Sequence, residues 1–318
     1  MLLGPESSTP TISNMNILAR TERWNESSMT EGTGYLLDTY LTSCFLGGNR
    51  GVHVYLPTSY RTKSRSHYPV LYLHDGQNVF SSAGKDAGLG WGSWELDRTV
   101  DVLCSEGKMQ EIIMVAVDNS PARLEEYNGR RPVYGEFSKK TAFENYEDFL
   151  ISELKPRMDH EYRTLPEAAH TAVMGSSLGG LCSLVMAWNH PEVFGGAASL
   201  SGAFTIFHPN FVDDVLRDYH GPPKPFRVYL DSGANSEGGD DGRSRTEQVE
   251  AEFRRIGWSA ENLQRFLDER TLTRTELEES GLPREKWAEA QTSQHNEFYW
   301  RRRSWRALTF LFLGEGSS

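Results

Sequence analysis

Two serines stand side by side in TAVMGSSLGGLCSLVMAWNHPEVF, residues 171 to 194, and only the second is spaced for chemistry. Gly175, Ser177 and Gly179 form a GxSxG bracket, whereas the positions flanking Ser176 are Gly175 and Ser177, with Met174 and Leu178 where its glycines should be. In such a bracket the serine occupies a strained strand-to-helix turn, and the glycines leave room for the backbone to close on itself. The run TAVM ahead of it is β-type and LCSLVMAW behind it is helix-type, which is the context the bracket demands. The backbone N–H of Leu178, opening that helix, is then an oxyanion donor for an attacking Ser177.

A serine hydroxyl needs a base to become a nucleophile at neutral pH. The chain has nine histidines. His53 and His67 lie before or inside early strands, and His160, His170, His190, His208 and His220 fall at helix ends or in loops. His74 ends a strand but precedes the serine. His295, in SQHNEFYWRRRSW, follows the last expected strand and opens a C-terminal helix, so the order serine, acid, histidine of α/β-hydrolases makes it the expected base. The acid is expected in DSGANSEGGDDGRSRT, after the strand RVYL, where Asp231, Glu237, Asp240 and Asp241 all occur. Asp231, at the strand end, reads as a turn residue; the residues alone do not choose among the other three. A second oxyanion donor is expected in LYLHDGQNVF, where Gly76 lets the backbone turn and the N–H of Gln77 follows it.

These residues need a scaffold. GVHVYLP (51 to 57), YPVLYLHD (68 to 75), EIIMVAVDN (111 to 119), TAVMGSS (171 to 177), GGAASLSG (195 to 202) and FRVYLDSG (226 to 233) are short apolar runs bounded by turn residues and read as buried strands. Helix-length segments at 141 to 158, 178 to 190 and 245 to 257 alternate with them, which indicates a mostly parallel sheet covered on both faces. Such sheets bind ligands at the carboxyl ends of their strands. Residues 78 to 100 read as a long glycine-rich connection, and 271 to 290, with its Thr273-x-x-Glu276 capping pattern and break at Gly281, as a small lid-like helical insertion. Residues 1–32, polar and without apolar periodicity, are expected to form a flexible arm, and 33–318 a single domain.

Acidic residues outnumber basic ones 44 to 33, for a formal charge of −11, which argues against nucleic acid or an anionic membrane as partner. Three cysteines without CxxC spacing argue against a zinc site or disulfide framework, and no metal or other cofactor is implied. The start has no basic region followed by a long apolar segment, and no run approaches the roughly 18 apolar residues of a spanning helix, so a cytoplasmic location is expected.

Taken together, YPVLYLHDGQNVF, DNSPARLEEYN, ELKPRMDHEYRT, MGSSLGGLCSLVMAWNHPEVFGGAASLSG, YLDSG and HNEFYWRRRSWRALTFLF resemble an esterase family of the α/β-hydrolase superfamily, over about residues 50 to 313. That family includes enterochelin esterases, esterase D, feruloyl and acetylxylan esterases and the antigen 85 mycolyltransferases. The resemblance implies Ser177 as nucleophile, His295 as base and oxyanion donors at Gln77 and Leu178. For the acid it favours Asp241, then Glu237, then Asp240. It implies a serine esterase working through an acyl-enzyme on a small-molecule ester, with acyl transfer to an alcohol or sugar, or a silent binding module, as alternatives. Trp91 and Trp94 are candidates for an aromatic substrate wall or for packing the loop onto the sheet. Arg123 and Glu126, in the R..EY element, read first as a structural pair and second as substrate ligands, and RRRSWR (301 to 306) as a solvated helix face.

Overall fold

A computed structural model describes residues 23–24, 33–129, 140–204, 210–236 and 239–313. Its centre is one nine-stranded sheet. The strands are β1 (Arg23–Trp24), β2 (Tyr35–Ser43), β3 (Gly48–Leu56), β4 (Val70–Leu73), β5 (Ile113–Val117), β6 (Thr171–Ser176), β7 (Gly196–Leu200), β8 (Arg227–Gly233) and β9 (Leu263–Asp268), in the spatial order β1-β2-β3-β5-β4-β6-β7-β8-β9. The first three join antiparallel and the remainder run parallel. All six expected strands are present. The arm expected over 1–32 lies outside the described residues apart from Arg23–Trp24, which pairs with Leu37 and Asp38 of β2.

Alternation along each strand sorts side chains onto two cores. Val70 and Tyr72 of β4 face one core, shared with Val54, Val115, Val173 and the helix Leu178–Asn189. Leu71 and Leu73 face the other, shared with Met114, Met174 and the helices Leu96–Ser105 and Glu297–Leu311. The helix Leu178–Asn189 is buried nearly all round, as expected for one lying directly on a parallel sheet beneath a site.

Two expectations need amending. The connection at 78 to 100 is not simply a loop: short turns over Gly76–Asn78, Ser81–Ala83 and Ala87–Gly90 lead into the helix Leu96–Ser105, which has Leu96, Val100 and Leu103 on its buried side. The strands β2 and β9 were not expected either. β9, LQRFLD, is an edge strand with only Leu263 fully buried, so its composition lacks the continuous apolar run of its neighbours. Residues 271 to 290 do form short helices, Arg274–Glu279 and Trp287–Ala290, the first opened by the Thr273–Glu276 capping box. Leu272, Leu277, Leu282 and Ala290 pack with Trp91, Phe298 and Tyr299 in a small separate core. Among the described residues no helix is long and apolar enough to cross a membrane.

Candidate active site

Ser177 follows β6 directly and caps the helix Leu178–Asn189 with φ 53° and ψ −121°, a conformation L-residues avoid. The chain holds it there from several sides. Its N–H donates to the carbonyl of Leu200, and its own carbonyl accepts from the N–H groups of Gly180, Leu181 and Ala203. Gly175 of the bracket and Gly180 just after it are steric necessities: a Cβ on Gly175 would lie 2.6 Å from the carbonyl carbon of Gly179, and one on Gly180 would lie 2.5 Å from Ser199 Oγ.

His295 stands between the serine and a carboxylate. Its Nε2 is 3.0 Å from Ser177 Oγ and its Nδ1 is 2.6 Å from Asp241 Oδ1. The ring lies edge-on to Trp300, with centroids 5.1 Å apart, and Asn296 beside it caps the helix Glu297–Leu311. Asp241 is almost completely buried. Its Oδ2 accepts from Ser201 Oγ at 2.7 Å and from the N–H of Gly233 at 2.5 Å. Burial pushes its acidity down, but the hydrogen bond from His295 and the charge of Arg303 outweigh that and hold its carboxyl below the usual range.

Of the other acids, Asp240 faces away and accepts from the N–H of Ser244 at the start of the next helix, and Glu237 lies outside the described residues. Asp231 is fully buried rather than a turn residue, and pairs with Arg303 at 3.3 Å.

Gly76 and Gln77 lie in the short turn after β4. A Cβ on Gly76 would lie 2.8 Å from the carbonyl carbons of Ala116 and Val117, so the turn can press on β5 only without a side chain there. The side chain of Gln77 accepts from the N–H of Asn119, which ties the turn to the loop after β5. Asp75, just before it, is left-handed (φ 56°) and takes Arg123 in a two-point ion pair, Nε to Oδ1 at 2.6 Å and Nη2 to Oδ2 at 2.8 Å. Beside Ser177 and His295 opens a cavity of about 400 Å³ whose wall includes Gly202, Arg245, Glu289 and Ser293. Glu289 belongs to the inserted segment. Among the described residues no group of three or more His, Cys, Asp and Glu side chains is arranged to hold a metal ion.

The family model described as "Putative esterase" matches residues 43–308, most of the chain. The chain belongs to this esterase family. Among relatives, an uncharacterised protein of Bacillus subtilis is 24% identical over 227 residues, 68% of this chain and 82% of its own. An esterase of Mycobacterium tuberculosis is 35% identical over 165 residues, 51% of this chain and 31% of its own, so the match spans about a third of that larger protein. Among solved structures, a ferulic acid esterase superposes with a TM-score of 0.63 at 18% identity, covering 88% of this chain and 98% of that one. The enterobactin esterase of Shigella flexneri superposes at 0.61 with 17% identity, covering 88% and 59%. These likenesses agree with an α/β-hydrolase fold, and esters of small molecules are the substrates that membership of the family implies.

Of the two readings of Trp91 and Trp94 burial agrees with packing, and two further expectations about the surroundings are corrected. Trp91 and Trp94 are both buried, Trp91 in the core under the inserted segment and Trp94 against Trp300 at 5.9 Å, so they pack the loop and supply no aromatic wall to the cleft. Arg123 and Glu126 do not pair with each other: Arg123 is taken by Asp75, and Glu126 holds buried Arg50 at 2.7 and 2.9 Å. The run at 301 to 306 is not uniformly solvated, since Arg303 is 2% exposed. Helical spacing carried that signal: Trp300, Arg303, Ser304, Ala307, Leu308 and Leu311 form one buried stripe. Ser201, which links Asp241, Trp300 and Arg303, was not expected at all.

Proposed function

We propose that this esterase is a metal-independent serine hydrolase of carboxylic esters acting through an acyl-enzyme, with residues 33–318 as one catalytic domain. The observation that carries this is His295, within hydrogen-bonding distance of Ser177 Oγ on one nitrogen and of Asp241 Oδ1 on the other. Ser177 Oγ attacks the ester carbonyl carbon while its proton passes to His295 Nε2. The buried carboxylate of Asp241 holds the other ring nitrogen and stabilises the imidazolium. The negative oxygen of the tetrahedral intermediate is held by the N–H groups of Gln77 and Leu178, each such donor being worth about 3 kcal/mol in the transition state. Collapse breaks the bond to the alcohol oxygen, which leaves with the proton from His295. Water, deprotonated by His295, then attacks the acyl-enzyme and releases the acid and free Ser177. The inserted segment, through Glu289, borders the cleft and acts as a lid-like wall that limits acyl or alcohol size.

Fluorophosphonate labelling tests the assignment. The wild type should carry one adduct, mapped by mass spectrometry to Ser177, and Ser177→Ala and His295→Ala should carry none. Hydrolysis of p-nitrophenyl acetate should fall at least 1,000-fold in both variants, on the order of triad losses elsewhere. Full activity in Ser177→Ala would sink the reading. Feruloyl and catecholate-serine esters, suggested by the structural neighbours, belong in the substrate panel beside acetate and butyrate esters.

A further inference from the structure

Behind the carboxylate that faces His295 lies a second layer of charge which that mechanism does not use. Arg303, from the helix Glu297–Leu311, is 2% exposed and reaches between two buried carboxylates. Its Nη2 lies 3.3 Å from Asp231 Oδ1, and its Nη1 lies 3.5 Å from Asp241 Oδ2. Nη2 also donates to Ser201 Oγ at 2.7 Å, and that hydroxyl in turn donates to Asp241 Oδ2. Trp300 Nε1 donates to Ser201 Oγ at 3.0 Å, so that hydroxyl has one donor and two acceptor bonds in use. Ser201 is held at φ 47°, with its N–H on the carbonyl of Asp231. By contrast, Arg303 Nε and Nη1 and Asp231 Oδ1 make no hydrogen bond. A buried guanidinium shared at 3.3 and 3.5 Å, and not fully hydrogen-bonded, is a poor structural ion pair. It is well placed to respond to charge on its neighbours.

We propose that Arg303 and Asp231 are positioning residues which, through Asp241, set the pH above which the Ser177–His295–Asp241 arrangement is competent; this rests on the serine-hydrolase reading. With both carboxylates ionised the buried group carries two negative charges and one positive. A proton arriving on His295 during attack by Ser177 brings the sum to zero. Arg303 therefore keeps Asp241 ionised without letting the cluster hold a proton too tightly. Asp231 competes for the same guanidinium. Burial, opposed by Arg303 and reinforced by Asp241, pushes its carboxyl up to about 7.

The ionisable groups facing this cluster are Tyr229 and Asp231 from β8, Asp241 and His295 from the loops, and Arg303, Tyr299 and the more distant Arg306 from the helix, together with Glu297 at its start, a carboxyl raised by burial that acts on His295. Tyr229 is driven well above its ordinary range by burial and stays neutral. Removing Arg303 leaves two carboxylates side by side, which retain a proton to higher pH. Removing the charge of Asp231 does the opposite.

The test is the pH profile of kcat/KM on p-nitrophenyl acetate for the full chain, with thermal melts of every variant. Arg303→Met should move the acid limb up by about one pH unit or more, as expected for loss of an opposite charge within a few ångströms. Arg303→Lys should move it less, Asp231→Asn should move it down, and the charge-neutral double variant D231N/R303M should return it toward wild type. A limb that stays fixed while kcat falls evenly at all pH values would mean that Arg303 is only structural, and would overturn the proposal. If Arg303→Met does not fold, Asp231→Asn and the double variant decide by the same criterion. Ser177→Ala, assayed alongside, separates failure of this idea from failure of the serine mechanism, because only the latter leaves that variant active.

Discussion

At the scale of single residues the site rests on strain held in place by neighbours. Ser177, Ser201 and Asp241 all have positive φ without being glycine, and all three meet at the proposed triad. This makes one consequence measurable at Ser177. Ser177→Ala removes the proposed nucleophile but keeps the unfavourable backbone, whereas Ser177→Gly removes both. Ser177→Gly should therefore be more stable than Ser177→Ala by about 1 kcal/mol in urea unfolding, the reverse of the usual order for these residues at helix positions. Equal or lower stability would mean that the turn is not strained. The same local geometry explains why Ser177 was legible. A GxSxG bracket is a backbone requirement written in adjacent letters, and a Cβ at Gly175 would collide with the turn itself. His295 was legible by chain order. Asp241 was favoured only through the family resemblance, because four acids share one loop and the path of that loop is a tertiary matter. Arg303 was misread: three consecutive arginines look like a solvated face until the helical stripe is traced through them.

At the scale of elements, the parallel strands announced themselves as apolar runs, because helices cover both of their faces. The antiparallel extension did not. In β2, Tyr40 is 70% exposed, and the strand mixes buried and solvated positions. That extension is tied to the parallel sheet partly by His53 of β3, whose Nδ1 lies 2.6 Å from Asp38 of β2 and whose Nε2 lies 2.8 Å from Asp118, just after β5. Burial works against the charged ring, but the two carboxylates outweigh it and raise His53 from 6.5 to about 9. A histidine raised by folding contributes stability that is full below the unfolded value of 6.5 and disappears as pH rises through about 9. Wild type should thus exceed His53→Gln by about 1–2 kcal/mol at pH 6, after allowance for the partly exposed partners, and the gap should close by pH 9.5. Denaturant titrations at the two pH values check this; a gap independent of pH would assign the effect to packing.

At the scale of the whole molecule, a charge of −11 acts on everything that approaches. Esters bearing a carboxylate should meet this esterase more slowly than neutral ones of the same shape. Salt should correct the difference: between 10 and 300 mM ionic strength, kcat/KM should rise several-fold for the anionic ester and stay flat for the neutral one, because the screening length shrinks from about 30 Å to under 8 Å. The opposite trend would mean that local cations such as Arg245, on the cavity wall, dominate the approach.

The three groups of the site are also far apart along the chain: Ser177 and His295 are separated by 118 positions, and Asp241 and His295 by 54. During synthesis the serine emerges long before β8, β9, the histidine and the helix that carries Trp300 and Arg303. On the proposed mechanism a growing polypeptide should therefore be inert toward the esters around it, and first turnover should coincide with closure of the last parallel strands. Appearance of esterase activity in a translation reaction is thus a clock for completion of the sheet, readable without any added probe.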